Sequence, residues 1–120
     1  MRVHIGVAAL LAVTAAALLA APAFTRPTLS LNNPVTITNT KCVLGYTSVS
    51  RRNTRIVFHI INNGSVAHGF DVSAKYKSGL VKAHQESTLV ANFTRAGAYP
   101  YACVAAHSTV KKGVFIIRNK

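Results

Sequence analysis

The sequence predicts an all-β domain, a β-sandwich or a barrel, and three observations support this. Apolar and β-branched residues alternate with a period of two in several short segments. These segments follow one another at intervals of roughly 8–12 residues and end at Gly or Asn turn signals. After the first 23 residues, no stretch carries an apolar stripe of helical spacing long enough for a helix.

The expected strands are residues 35–38, 55–61, 69–72, 87–94, 98–103 and 114–118. The second strand is a β-branched run that ends at the turn signal Asn62-Asn63-Gly64. The polar residues 73–79 are expected to form a loop. In the fifth strand, alternation places Tyr99, Tyr101 and Cys103 on one face. The dipeptide Lys112-Gly113 precedes the last strand.

The chain begins with a segment that predicts export. Residues 1–23 contain one early cation, Arg2, then an uncharged run, and close with the small-x-small pattern Ala21-Pro22-Ala23. The alternative is an uncleaved membrane anchor, because no charged residue occurs between Arg2 and Arg26. Residues 24–34 hold two prolines and are expected to form a flexible lead-in to a domain at 35–120. The domain is therefore expected in the periplasm or the extracellular medium.

The charge balance excludes several functions. The 120 residues contain 14 Lys and Arg but only two acids, giving a formal net charge of +12. Mechanisms that need paired carboxylates and calcium sites built from carboxylates are excluded. No nucleophile–base–acid set is visible, so we expect no enzymatic activity. The cations are scattered rather than interleaved with aromatic residues, which disfavours binding of nucleic acid. The large positive net charge favours encounter with an acidic partner protein. We expect the protein to be a monomer.

Three residues form a candidate metal site: His68, Cys103 and His107. Two imidazoles and one thiolate are the in-plane ligands of a mononuclear blue-copper site, and they suit both Cu(I) and Cu(II). A Cys that leaves a strand and a His four residues later can meet one ion across a loop, with the third ligand from a distant strand. We therefore expect one copper ion. His59 and His84 are interpreted as ordinary polar residues.

Two motifs in order carry a family resemblance. The first, FHIINNGSVAHGFDV, contains His68, and the second, GAYPYACVAAHSTVKKGVFII, contains Cys103 and His107. Together they resemble the small cupredoxins, the plastocyanin/azurin-like copper proteins, from about residue 35 to residue 118. The resemblance implies a Greek-key β-sandwich and one-electron transfer or copper handling outside the cytoplasm. It also implies that electrons pass through His107, beside a basic docking face at Lys111 and Lys112.

The sequence departs from this family at the axial ligand. The place that the family gives to a Met is held by Lys111, and the only Met in the chain is Met1. Copper could then be three-coordinate, with the Ala67 carbonyl or a water at long range, or could bind a neutral Lys111 amine, or metal binding could be lost. The functions left open are electron transfer, copper carriage or scavenging without redox turnover, and a metal-free basic sandwich that binds an acidic partner.

Cys42 is the second cysteine of the chain. An exported protein with two cysteines invites a disulfide, and a bridge to Cys103 would remove the thiolate that copper needs. The resemblance implies an apolar core residue at position 42, so we favour a buried free thiol there. A binuclear copper centre would need a further Cys four residues before Cys103, where the chain has Tyr99.

Overall fold

A computed structural model describes residues 30–51 and 55–120 of the chain. These ranges form nine β-strands and no helix, which confirms the predicted all-β class. The strands are β1 Ser30–Ile37, β2 Cys42–Leu44, β3 Ser48–Ser50, β4 Arg55–Asn62, β5 His68–Val72, β6 Tyr76–Lys77, β7 Glu86–Asn92, β8 Gly97–Ala105 and β9 Thr109–Arg118. In the described ranges no helix is present that could cross a membrane. The predicted export signal lies outside the described residues.

The strands form two sheets that enclose one core. The four-stranded sheet has the order β2-β1-β4-β7, and the five-stranded sheet has the order β3-β9-β8-β5-β6. The pairs β1–β4 and β3–β9 are parallel, and the remaining neighbours are antiparallel. Strands that are distant in sequence therefore become neighbours, as in a β-sandwich with crossover connections.

The alternation seen in the sequence decides which side chains enter the core. In β4, Ile56, Phe58 and Ile60 are fully buried, while the residues between them face outward. Phe58 meets Phe70 and Phe115 of the opposite sheet, with ring centroids 4.9 Å and 5.5 Å away. Such aromatic contacts stabilise the sandwich beyond simple area burial, by about 1 kcal/mol per pair. The centre of the core therefore joins the two sheets.

The domain begins earlier than predicted. Strand β1 starts at Ser30, so residues 30–34 of the expected flexible lead-in belong to the sheet, and residues 24–29 lie outside the described residues. The inward-facing residue at this point is the fully buried Asn33. Its amide donates to the Tyr46 carbonyl (2.8 Å) and accepts from the Tyr46 N–H (2.9 Å). A polar residue at an inward position interrupts the apolar alternation, and this concealed the strand.

Other boundaries differ for local reasons. Strand β9 begins at Thr109 rather than at residue 114, and Gly113 lies inside it. A Cβ atom on Gly113 would lie 2.5 Å from the Tyr101 ring, so the glycine makes room for that ring rather than opening the strand. The strands β2, β3 and β6 have two or three residues each, too few to show a period. Strand β6 interrupts the loop expected at 73–79.

Candidate functional site

His68 lies at the first position of β5 and is 1% exposed. Its Nδ1 lies 3.2 Å from the carbonyl oxygen of Val104, and its Nε2 lies 3.1 Å from Oδ1 of Asn39. The Asn39 oxygen also accepts the Ser65 N–H at 3.0 Å, which fixes the orientation of that amide. Both nitrogens of the imidazole therefore face oxygen acceptors of the protein. A metal ion could reach either nitrogen only by displacing one of these contacts.

The turn between β4 and β5 is built around the fully buried side chain of Asn62. Its amide nitrogen donates to the carbonyls of Val66 (2.9 Å) and Val81 (2.8 Å), and its oxygen accepts the Gly64 N–H (2.8 Å). The side chain therefore replaces backbone partners that the turn itself cannot supply. This network aligns the chain so that it enters β5 with His68 facing inward.

Gly64 makes room for the His68 ring. A Cβ atom at this position would lie 2.5 Å from Asn39 Oδ1 and 2.8 Å from His68 Nε2. Neither group can move away easily, because both belong to the same hydrogen-bonded cluster. The glycine of the predicted turn is therefore required by the close approach of the imidazole.

Cys103 is fully buried in β8, and its sulfur is bonded to that of Cys42 in β2. The Cα atoms are 6.3 Å apart, within the range of ordinary disulfides, and the bond joins the two sheets. The expectation that Cys42 is a free thiol is wrong. The inward-facing side chain of Cys42 lies across the core from that of Cys103. The two residues are 61 positions apart in sequence, so the sequence alone did not indicate that they are close. In this state Cys103 cannot be a thiolate.

His107 lies at the tip of the β8–β9 hairpin and is exposed. The hairpin closes with a hydrogen bond from the Ala105 N–H to the Ser108 carbonyl (2.8 Å). Only residues 106–108 separate the two strands. Because the loop is this short, it places His107 at the surface, while His68 and Cys103 lie inside. The three residues lie towards one end of the sandwich, but the short turn leaves His107 outside the core.

Lys111, at the position of the missing axial ligand, is the cross-strand partner of Cys103 in the β8–β9 ladder. The register shifts beyond this pair, where Val104 meets Thr109, so that Val110 lies at the bulge. The Val110 side chain packs against the core, and Lys111 is exposed. The bulge therefore presents an apolar side chain to the interior at this end of the sheet.

These residues do not fit a copper ion in the disulfide-bonded state. Copper of this type needs a thiolate, and the sulfur of Cys103 is bonded to Cys42. The two nitrogens of His68 face protein oxygens, and His107 is exposed. Within residues 30–51 and 55–120, no group of three or more His, Cys, Asp or Glu side chains is arranged to hold a metal.

The two other described histidines have ordinary surroundings. His59 faces outward from β4, and its Nε2 lies within hydrogen-bond distance of the Glu86 carboxylate of β7. His84 is exposed in the loop before β7 and adopts a left-handed backbone conformation, with φ of 62°. Neither lies beside the candidate ligands.

Sequence reasoning missed the polar residues that hold His68, above all Asn39 and Asn62. The turn signal Asn62-Asn63-Gly64 was visible, but a turn signal does not reveal that an Asn side chain is buried and has three partners. Asn39 carried no signal, because its role depends on the approach of the β1–β2 turn to Ser65. The even number of cysteines was the one available sign of the disulfide.

Comparison with known proteins gives a result for the fold only. No family model and no curated protein matches the chain. Among solved structures, auracyanin B superposes with a TM-score of 0.59 at 12% identity, over 78% of this chain and 93% of that one. A chain from a heme-copper terminal oxidase dimer gives 0.54 at 12% identity, over 98% of each chain. A mutant of amicyanin in its reduced Cu(I) form gives 0.47 at 19% identity, over 80% and 88%. Together with the two-sheet architecture, the likeness to auracyanin B shows that the chain has the cupredoxin fold.

Proposed function

We propose that the disulfide-bonded protein functions without copper, as an exported, non-enzymatic module that binds an acidic partner protein. The observation that carries this proposal is the bond between the sulfurs of Cys42 and Cys103, which leaves no thiolate for a type 1 site. Disulfides persist outside the cytoplasm, in agreement with the predicted export signal. The cupredoxin fold then serves as a rigid support for a binding surface.

The charge distribution supports an acidic partner. Every lysine and arginine in the described ranges is exposed. The two acids of the chain offer little compensation: Glu86 pairs with His59, and Asp71 faces Lys77 across the β5–β6 ladder. A surface of one sign raises the rate of encounter with a partner of the opposite sign and disfavours association of two copies.

The hairpin that carries Lys111 and Lys112 is the first surface to test. Binding of poly-L-glutamate should weaken strongly as ionic strength rises from about 0.01 M to about 1 M, where the screening length falls from about 30 Å to about 3 Å. The double variant Lys111→Glu/Lys112→Glu should bind less tightly than Lys75→Glu/Lys77→Glu, which has the same net charge. Equal losses of affinity in the two double variants would show that only the total charge matters for binding. An affinity that does not depend on salt would contradict the proposal.

The absence of copper chemistry can be tested directly. Purified mature protein, with its disulfide confirmed by mass spectrometry, is titrated with Cu(II) without reductant and followed by visible and EPR spectroscopy. We expect no stoichiometric binding and no intense thiolate-to-copper band. A band that disappears in Cys103→Ser would overturn the metal-free proposal.

A second candidate is copper binding after reduction of the disulfide, for electron transfer or for copper carriage. One observation favours it: His68 and Cys103 both face inward from the neighbouring strands β5 and β8, in a fold shared with auracyanin B. Together with His107 they would supply two imidazoles and a soft thiolate. Titration of the reduced protein with Cu(I) tests binding, and reversible voltammetry would separate an electron carrier from a copper store. Failure of the reduced protein to bind copper would remove this candidate.

A further inference from the structure

The two sulfurs of the disulfide lie in very different parts of the sheets. Cys42 is in β2, a strand of three residues at the edge of the four-stranded sheet, which pairs only with β1. Cys103 is in β8, which is nine residues long and pairs with β5 on one side and β9 on the other. The exposed fractions of the two residues are 2% and 0%, so neither is open to a reagent in the closed structure.

Strand β2 is the part of this pair that can open locally. Its register with β1 comprises only Val35–Leu44, Thr36–Val43 and Ile37–Cys42. Its central residue, Val43, is 60% exposed, and the turn before it, at residues 39–41, is also exposed. Edge segments with few buried side chains open at much lower free energy than central strands. Opening of β2 would uncover Cys42, whereas uncovering Cys103 requires separation of the sheets.

We propose that Cys42 is the site of thiol–disulfide exchange and that Cys103 is the thiolate released by it. The thiolate of a dithiol reductant forms a bond to Cys42 Sγ, the disulfide bond breaks, and its electron pair leaves on Cys103. The second thiol of the reductant then displaces Cys42 from the mixed disulfide. The reductant is oxidised to a disulfide, and the two protons from its thiols end on the two cysteines.

The charge beside Cys42 suits this direction of attack. Lys41 is exposed and immediately precedes Cys42, so an approaching thiolate meets a cation at the edge strand. The exchange leaves one sulfur at the edge of the sandwich and one in β8 beside Phe70, at the middle of β5. The proposal does not depend on an acidic partner or on copper.

The site of attack can be identified by trapping. The oxidised mature protein is incubated with excess glutathione, quenched with acid at short times, unfolded and alkylated with excess iodoacetamide in denaturant, and mapped by mass spectrometry. We expect glutathione on Cys42 and the alkyl group on Cys103 in the first mixed disulfides. Glutathione on Cys103, equal labelling of the two cysteines, or the absence of a Cys42–Cys103 linked peptide before treatment would overturn the proposal.

The rate of reduction tests the local opening. Thr38 Oγ1 accepts the Lys41 N–H at 3.0 Å in the turn before β2, so Thr38→Ala should speed reduction several-fold. Thr88→Ala, at an exposed position of the opposite edge strand β7, is the matched control and should leave the rate unchanged. Reduction of the wild type should depend only weakly on urea below the unfolding transition. A rate that tracks global unfolding, or equal effects of the two variants, would contradict opening of β2.

Discussion

The buried and exposed parts of the predicted copper site are under different constraints, although Cys103 and His107 are only four residues apart in sequence. Cys103 and His68 are buried, and each has defined partners: the sulfur of Cys42 for one, and the oxygens of Asn39 and Val104 for the other. His107 is exposed on a three-residue turn, where the hairpin itself is the only constraint. The buried residues have the chemistry of a ligand set but no free donor atoms in this state.

Ligand identity and ligand availability are therefore separate properties of this fold. A side chain that binds a metal must keep a lone pair directed at the ion, and burial among hydrogen-bonding groups tends to use that lone pair. In the described structure the disulfide takes the sulfur of Cys103, and both ring nitrogens of His68 face protein oxygens. The exposed residue keeps its donors but lies outside the core.

Loss of the disulfide should produce the largest change in stability. Cys42 and Cys103 are 61 residues apart in sequence, and opening a loop of that length costs about 4 kcal/mol in the chain-entropy account. We therefore expect a reducing agent to lower the urea midpoint strongly. The double variant Cys42→Ser/Cys103→Ser should be insensitive to reductant and should match the reduced wild type to within about 1 kcal/mol. An unchanged midpoint on reduction would show that the bond does not brace the sheets.

Replacement of His68 and of His107 should lower the free energy of unfolding by unequal amounts. His68→Ala removes a buried ring and the hydrogen bond that its one N–H makes to the oxygen of Val104 or Asn39, which should cost about 3 kcal/mol. His107→Ala alters an exposed turn residue and should change the free energy of unfolding by less than about 0.5 kcal/mol. Equilibrium denaturation of both variants is the measurement. Similar losses would mean that the hairpin tip is as strongly constrained as the interior.

Most of the sheet core was predictable from the sequence, because a period of two reports directly which side chains face inward. The prediction that Tyr101 and Cys103 share a face is confirmed, since both are buried in β8. The same alternation predicted three of the four ends of β4 and β7 to within one residue. Which face of a strand is buried follows from the residues of that strand alone, so it can be predicted from a short stretch of sequence.

Pairing across the core was not predictable in the same way. The bond between Cys42 and Cys103 depends on which strand of one sheet lies over which strand of the other, and alternation contains no information about that. The surface position of His107 depends on how tightly the hairpin turns, which spacing alone left undetermined. The resemblance to cupredoxins indicated the fold, but it did not determine the state of the donor atoms of these residues.

Because Gly64 lies close to His68, a substitution at Gly64 is a smaller perturbation of the buried part of the predicted copper site. Gly64→Ala would place a Cβ atom 2.8 Å from Nε2, so the ring or the turn must move. We expect a loss of about 2 kcal/mol, typical of overpacking. Gly79→Ala is an informative control, because a Cβ atom there meets nothing within 4 Å and only the backbone, at φ of 73°, is unfavourable. A loss for Gly64→Ala no larger than that for Gly79→Ala would show that the cluster yields easily.

The smallest stability effect is expected for Lys111→Met, which restores the side chain that the cupredoxin resemblance leads one to expect. Lys111 is exposed, so the change should alter stability by less than about 0.5 kcal/mol. An axial thioether tunes a copper site but does not create one, because the in-plane thiolate forms the strong bond. The oxidised variant should therefore remain colourless with Cu(II), as we expect of the wild type, since Cys103 remains bonded to Cys42. A blue oxidised Lys111→Met protein would show that the axial ligand, and not the disulfide, had prevented copper from binding.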